Sequence, residues 1–358
     1  MASQDILRIA FSFLPFMVCL FWFICFAMQY GKADKPKHFF MAYIGTCTVL
    51  YLCHGLFFTS GISYEMECLW TLCSLSVYPL FYGYISRLTS IDYKASNLLP
   101  LLLPGVAVAI AKYALPDAGI DKVRVLLFAC QIVCVCCFGI RMLNAFDRKL
   151  QAMYADTEGR DTTAVHHLLI VIIIVSFLAG IGNSLGKQFF GKSLWLLMSI
   201  SLAFTTMQFA LSYICFNRSF SVDQLDIDED NDKEIKALNA NDETEAIGRK
   251  IETLMVEQHY FIKKDLKITD LAKEIGSNRT YVSNYINRTF NSSFSDYINS
   301  MRIEYAKKLL ENPSDNKKLV QIADESGFAN EQSFYRNFKK FTGMTPAEWQ
   351  ANRVGGKH

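Results

Sequence analysis

No cysteine follows Cys215 in this 358-residue chain; all eleven lie at or before that position. The last third therefore has neither a disulfide framework nor a cysteine-based zinc site to hold it together. Cys134, Cys136 and Cys137 sit close together in an apolar run, with no histidine or acidic partner beside them. They read as small buried residues and not as a metal centre. Net charge is low, at +2. Catalytic signatures are missing as well: there is no H-E-x-x-H, no nucleophile elbow and no pair of acids within an apolar run. A kinase histidine box, a receiver domain and a cyclase motif are likewise absent. The sequence points away from an enzyme and implies no metal and no cofactor.

What is present falls into two unlike parts, with the break near residue 217. Before it, seven apolar runs come close to or reach the roughly 20 helical residues that cross a bilayer. They are Ile9–Met28, Phe39–Phe58, Cys68–Ile85, Leu98–Leu115, Val123–Ile140, Leu168–Gly186 and Ser193–Phe216. The fifth has the weakest pattern, because its clean core begins only after Arg124. The first is too long for the core of a signal peptide and lacks a small-residue cleavage site, so it is expected to stay in the chain. Pro15, Pro79, Pro100 and Pro104 are placed to kink helices and open a cavity.

An odd number of spans sets the two termini on opposite sides. Lys32, Lys35, Lys37, Arg87, Lys94, Arg141, Arg148, Lys149 and Arg160 fall in one set of connections. The other set carries Lys112, Lys122, Arg124, Lys187 and Lys192, together with Glu65 and Glu67. The basic excess places the N-terminus outside and the C-terminus in the cytoplasm. Within the spans, His54, Gln131, Asn183 and Gln208 are the candidate signal-site residues, since polar groups are costly in lipid. A lone Gln or Asn more commonly bonds neighbouring helices together. The connections are short, which leaves no separate outer ligand domain.

Three regions follow: 1–217 as a seven-span domain, 218–245 as an acidic linker and 246–358 as a polar helical domain. The linker includes "DQLDIDEDNDKE" and is poor in apolar residues, as a solvated tether is. Beyond it, Ile247, Ile251 and Leu254 recur at helical spacing. In "KITDLAKEIGSNRTYVSNYINRTF", Thr269 is placed to cap a helix, Gly276 to form a turn and Asn278 to cap the next helix. Val282, Ile286 and Phe290 face the core in that reading, and Thr280, Ser283, Asn284 and Arg288 face away.

The pattern returns in "KLVQIADESGFANEQSFYRNFKKF", where Ala323 and Gly327 correspond to Ala272 and Gly276. The second turn has one extra residue. Asn330 caps, Phe334 and Phe338 face the core, and Glu331, Gln332, Ser333, Tyr335, Arg336 and Lys339 are expected on the other side. Lys339 and Lys340 suit phosphates. Ile298, Met301, Tyr305 and Leu309 mark one amphipathic helix between the copies. Thr345 and Pro346 open a last helix as cap and first-turn proline. From Ala246 onward there are 18 Lys and Arg against 13 Asp and Glu, a net charge of +5 that suits a phosphate backbone.

These residues resemble the DNA-binding domain of the AraC/XylS family of bacterial regulators. "LAKEIGSNRTYVSNYIN", "DYINSMRIEYAKKLL" and above all "QIADESGFANEQSFYRNFKKFTGMTPAEW" carry the resemblance, which covers about 30% of the chain. It implies seven helices in two tandem helix-turn-helix units. Base-reading positions would be Thr280, Ser283 and Asn284 in the first, and Glu331, Gln332, Ser333, Tyr335 and Arg336 in the second. The implied partners are double-stranded DNA, a second copy on DNA and RNA polymerase. The whole chain is then expected to be all-α: a seven-helix transmembrane bundle in the inner membrane, bearing a cytoplasmic double helix-turn-helix. It would be a regulator that binds promoter DNA and answers an unidentified signal ligand at the bilayer. Two other readings fit the same layout. One is a transporter or channel with an autoregulatory tail; the other is a tether that releases its tail by proteolysis.

Overall fold

In the computed structural model, residues 3–32, 35–90, 93–116, 119–157, 160, 162–167, 169–171, 174, 193–218, 243–311 and 317–355 are described. Among them the regular structure is helical, with one isolated bridge between Tyr154 and Lys267. The chain divides into two units. One is Met1–Phe146 with Thr162–Asp223; the other is Asp147–Asp161 with Gln224–His358.

The first unit is built from long apolar helices: α1 (Ser3–Met28), α2 (Lys35–Thr59), α3 (Tyr64–Thr89), α4 (Leu99–Ala114), most of α5 (Ile120–Met153) and α6 (Leu194–Asn217). These six are long and apolar enough to cross a membrane. Most of the expected run Leu168–Gly186, Asn183 within it and nearly all of the 218–245 linker lie outside the described residues; of that run only 169–171 and 174 are described. α1 packs on α2 and α6, α2 on α3, and α3 on α4. Where α1, α2, α3 and α6 meet the core is aromatic. Trp22, Phe26, Phe40 and Tyr84 are buried, and Phe216 lies 5.4 Å edge-on to Phe26. Edge and tilted contacts of this kind suit the ring quadrupoles.

Helix ends in this unit are tied by charge. Lys112 lies 2.9 Å from Asp121 and 3.7 Å from Glu67, and Arg124 lies 3.2 Å from the same Asp121. The cluster joins the end of α4 to the starts of α3 and α5. Lys37 donates to the Phe216 carbonyl at the end of α6, where a cation complements the helix dipole.

In the second unit, seven α-helices are found among the described residues from 243 onward: α7 (Glu243–Glu252), α8 (Ile268–Glu274), α9 (Arg279–Phe290), α10 (Phe294–Glu311), α11 (Leu319–Glu325), α12 (Glu331–Thr342) and α13 (Pro346–Gly355). Ile247, Ile251 and Leu254 are buried, as their spacing predicts. α10 packs against α9, α11 and α12. The second helix pair closes over Ile303, Ala306, Ile322, Ala323, Phe328, Phe334 and Phe338.

Three expectations change. Thr269 does not cap α8; it lies inside the helix, and the Asp270 carboxylate accepts the Lys267 backbone N–H at 3.2 Å. Phe290 is 44% exposed: it is the last residue of α9, with the Tyr297 ring tilted 4.6 Å away and Tyr285 edge-on at 6.1 Å. On α10, Met301, Tyr305 and Leu309 are only partly buried. The buried face there includes Ser295, Ile298, Asn299, Arg302, Ile303 and Ala306, so it is polar at its centre.

Candidate nucleic-acid interface

The two helix pairs turn in the same way. Gly276 (φ +68°) and Gly327 (φ +84°) both adopt the left-handed conformation that a side chain disfavours. Ser277 N–H returns to Ala272 O at 2.8 Å, and Phe328 N–H to Ala323 O at 3.1 Å. Ala272 and Ala323 are buried at these crossings. The caps are also alike. Asn278 Oδ1 accepts from Tyr281 N–H at 3.0 Å, and Asn330 Oδ1 accepts from Ser333 N–H at 2.9 Å. Each satisfies one of the orphan donors that a helix start leaves. α13 opens with a reciprocal box: Thr345 N–H donates to Glu348 at 2.7 Å, and Glu348 N–H donates to Thr345 Oγ1 at 3.3 Å.

With Phe334 and Phe338 buried, the rest of α12 is sorted by the helical repeat. Glu331, Gln332, Arg336, Lys339 and Lys340 are exposed, and Tyr335 is half-buried. Burial and the adjacent Glu331 carboxylate raise the Tyr335 phenol above its ordinary pKa. Lys340 lies 2.5 Å from Asp296. Ser333 departs from expectation: it is 0% exposed, and its hydroxyl donates to Asp156 Oδ1 at 3.1 Å. It shares the buried arc with Asn337, one turn on. On α9, Thr280, Asn284 and Arg288 are exposed, while Ser283 is half-buried and accepts from Asn287 at 3.3 Å.

The polar groups of the first unit separate into two places. His54 and Gln208 line one cavity of about 140 Å³, walled by Tyr51, Trp70 and Phe204. Gln208 is paired there with Tyr43: its amide donates to the phenol at 3.0 Å, and a second contact runs to Cys47 Sγ at 3.8 Å. Gln131 is elsewhere. It donates to Leu75 O at 3.0 Å and lines a wider cavity of about 390 Å³ with Pro79, Pro100 and Pro104. Three of the four prolines read as cavity-forming thus meet at one place.

Residues 271–352 match a family model described as a helix-turn-helix domain. The C-terminal segment is a helix-turn-helix domain of the AraC type. The AraC-type domain is similar to part of an uncharacterized HTH-type transcriptional regulator of Staphylococcus aureus strain MSSA476. The two are 30% identical over 98 residues, 27% of this chain and 13% of that one. It is also similar to the uncharacterized HTH-type transcriptional regulator YtdP of Bacillus subtilis strain 168, at 30% over 95 residues, 26% of this chain and 12% of that one. The Msm operon regulatory protein of Streptococcus mutans is 25% identical over 111 residues, 31% of this chain and 38% of its own length. The chain thus spans only a small part of these relatives. No solved structure matches it.

Sequence reasoning missed the segment that meets Ser333. Asp156 sits just beyond α5, 177 positions before its partner. No periodicity near either residue signals that pairing.

Proposed function

We propose that this chain is a one-component transcriptional regulator embedded in a bacterial inner membrane. The AraC-type domain binds promoter DNA sequence-specifically, and the apolar helices hold it at the bilayer. One observation carries the reading: a single chain joins six helices long and apolar enough to cross a membrane to a paired helix-turn-helix. α10 supports it, because its 18 residues extend about 27 Å. That is of the order of one DNA turn, about 34 Å, a fitting separation for two helices that read one face of a duplex.

Base contacts belong to Glu331, Gln332, Tyr335 and Arg336 on α12, with Thr280, Ser283, Asn284 and Arg288 on α9. Arg336 has the fork that pairs with a guanine edge, and Lys339 tracks phosphate. Ser333 is left out because its hydroxyl is engaged with Asp156. Two copies on one promoter gain affinity through linked binding. The N-terminus lies outside and the C-terminus in the cytoplasm, as the basic connections favour.

The signal is taken up in the cavity beside His54. Its size suits a small molecule, since a space of about 150 Å³ accommodates a benzene ring. Aromatic walls call for an apolar body. The Gln208–Tyr43 pair at its edge is already hydrogen-bonded and asks for few polar groups in the occupant.

Genome-wide mapping of the sites bound by the intact protein, beside an Arg336→Ala control, tests the regulator. Discrete promoter peaks that vanish in the variant are expected; no peaks, or unchanged peaks, would refute it. Replacing the apolar helices with an unrelated anchor tests sensing. A normal response from that chimera would show that they only hold the domain in place.

A further inference from the structure

We infer that residues 147–157, with Arg160, are a strap built into the AraC-type domain, and that this strap positions α12 for DNA. These residues follow the fifth apolar run, yet they belong to the same unit as the helix-turn-helix pair. Leu150, Met153, Tyr154, Ala155 and Asp156 are each no more than 4% exposed.

Three consecutive residues reach three parts of the domain. Tyr154 bridges Lys267, and Ala155 N–H donates to Leu266 O at 2.9 Å, just before α8. Ala155 O accepts two bonds from α10, from Ser295 Oγ at 2.8 Å and Asn299 Nδ2 at 2.7 Å. Asp156 Oδ1 accepts from Ser333 Oγ near the start of α12. Arg160 folds back over them. It donates to Asp156 O at 2.9 Å, stacks 4.5 Å above the Tyr154 ring and pairs with Asp265 at 3.4 Å.

The chemistry of the receiving surface argues that it is made for this strap. Ser295, Asn299 and Ser333 are 6%, 3% and 0% exposed, so their polar groups need partners inside the protein. Residues 246–358 do not supply the Ala155 carbonyl or the Asp156 carboxylate. Beside them, Arg302 is 0% exposed and bonds Phe261 O, Lys263 O and Asn299 Oδ1. Burial pushes its guanidinium down to about 10, and the Asp156 and Asp265 carboxylates offset part of that shift. A buried polar network is stable when complete and costly when a member is removed. The strap completes this one, and it does so at the contact between α10 and α12.

The domain that meets DNA therefore begins with the end of α5 and is resumed only after residue 223. α5 is one helix from Ile120 to Met153, and its last turns enter this domain. A shift of α5 along its axis would move the Asp156–Ser333 contact, and with it the seating of α12. The link to DNA rests on the reading proposed above; the strap itself does not.

The test uses full-length protein in lipid nanodiscs, carrying Asp156→Ala, Ser333→Ala or both. Amide exchange of α10 and α12 is measured without DNA, and affinity is measured for a mapped promoter fragment. Each single variant should speed exchange at the start of α12 and weaken DNA binding about tenfold, with the double no worse than either single. Unchanged exchange, or effects that add in the double, would overturn the strap. Tighter DNA binding by Asp156→Ala would overturn the positioning role. If Asp156→Ala does not fold, Asp156→Asn, which keeps one acceptor, should still exchange faster at the start of α12 and bind DNA more weakly than the wild type; wild-type behaviour in that variant counts against the inference. Faster exchange in a protein that binds no promoter would keep the strap and refute the regulator.

Discussion

Gly276, Gly327 and Gly343 share a left-handed backbone, with φ of +68°, +84° and +79°, yet alanine should affect them very differently. Around Gly276 and Gly343 a Cβ would meet nothing within 4 Å. The cost there is the left-handed conformation alone, about 1–2 kcal/mol, less the roughly 0.4–1 kcal/mol gained by restricting the unfolded chain. Gly327 is different: its Cβ would meet Ile262 O and, at 2.7 Å, Ile262 C and Cα. Those atoms are backbone and cannot swing away. They are pinned on both sides, because Arg302 holds the carbonyls of Phe261 and Lys263. Overpacking adds about 1–3 kcal/mol, for a total of about 1–5 kcal/mol with a centre of about 3 kcal/mol. In a unit of about 150 residues each kcal/mol shifts Tm by about 2–4 °C. Gly327→Ala should lower the melting temperature of the second unit by about 6–12 °C, and Gly276→Ala by only a few degrees. Calorimetry in nanodiscs, with amide exchange of α11 and α12 to assign the transition, measures both. Equal and mild shifts at the two glycines would refute the argument.

Further outcomes follow from the same contacts. Arg336→Ala should cost about 1–3 kcal/mol of promoter affinity and relax the sequence preference at one base pair. Lys339→Ala should weaken all sequences alike and reduce the salt slope by about one, read by anisotropy titrations across salt. Asn330→Ala removes the bond to Ser333 N–H and should destabilise α12 by about 1 kcal/mol, seen as faster exchange in its first turn. Glu348 is held below its ordinary pKa by the Thr345 backbone and side chain. Its contribution to the start of α13 is therefore present above the ordinary carboxylate range and is lost as pH falls through the depressed value. Acid titration followed at the Thr345 amide checks this, and Glu348→Gln should remove the pH step.

The paired helix-turn-helix was legible because its signals are local. Turn glycines, small crossing residues and asparagine caps recur at matching positions in both copies, and each acts within a few residues of itself. The buried face of α10 was not legible. Periodicity favoured Met301 and Tyr305, but Arg302 and Asn299 are the residues that face inward, bonded to carbonyls from distant turns and from Ala155. Ser333 was misplaced for the same reason, since its partner is far away in sequence. α5 was read too short. Its 34 residues extend about 51 Å, well beyond the roughly 30 Å of a hydrocarbon core. Hydropathy reports the part that suits lipid and is blind to polar turns that continue the helix.

The strap also bears on how many times the chain crosses the bilayer. Residues 147–161 and the AraC-type domain form one unit, so they lie on the same side of any membrane the chain spans. Between Asp161 and Gln224 the number of crossings must then be even. If α6 is one of them, as proposed above, a second falls in the same interval, where the sequence carries the apolar run Leu168–Gly186. This parity argument is independent of the charge distribution, yet it favours the same seven-span arrangement. It is tested by inserting topology reporters after Gly159, after Gly191 and after Asp223. The first and third should report the cytoplasm, and the second the outside. A cytoplasmic signal after Gly191 would remove either the second crossing or the membrane-spanning role of α6. Opposite signals after Gly159 and Asp223 would separate the strap from its domain. Release by proteolysis meets the same constraint. A cut between 218 and 245 leaves the strap with the apolar helices, so a freed tail would lose the acceptors of Ser295, Asn299 and Ser333. The tail is therefore expected to work attached.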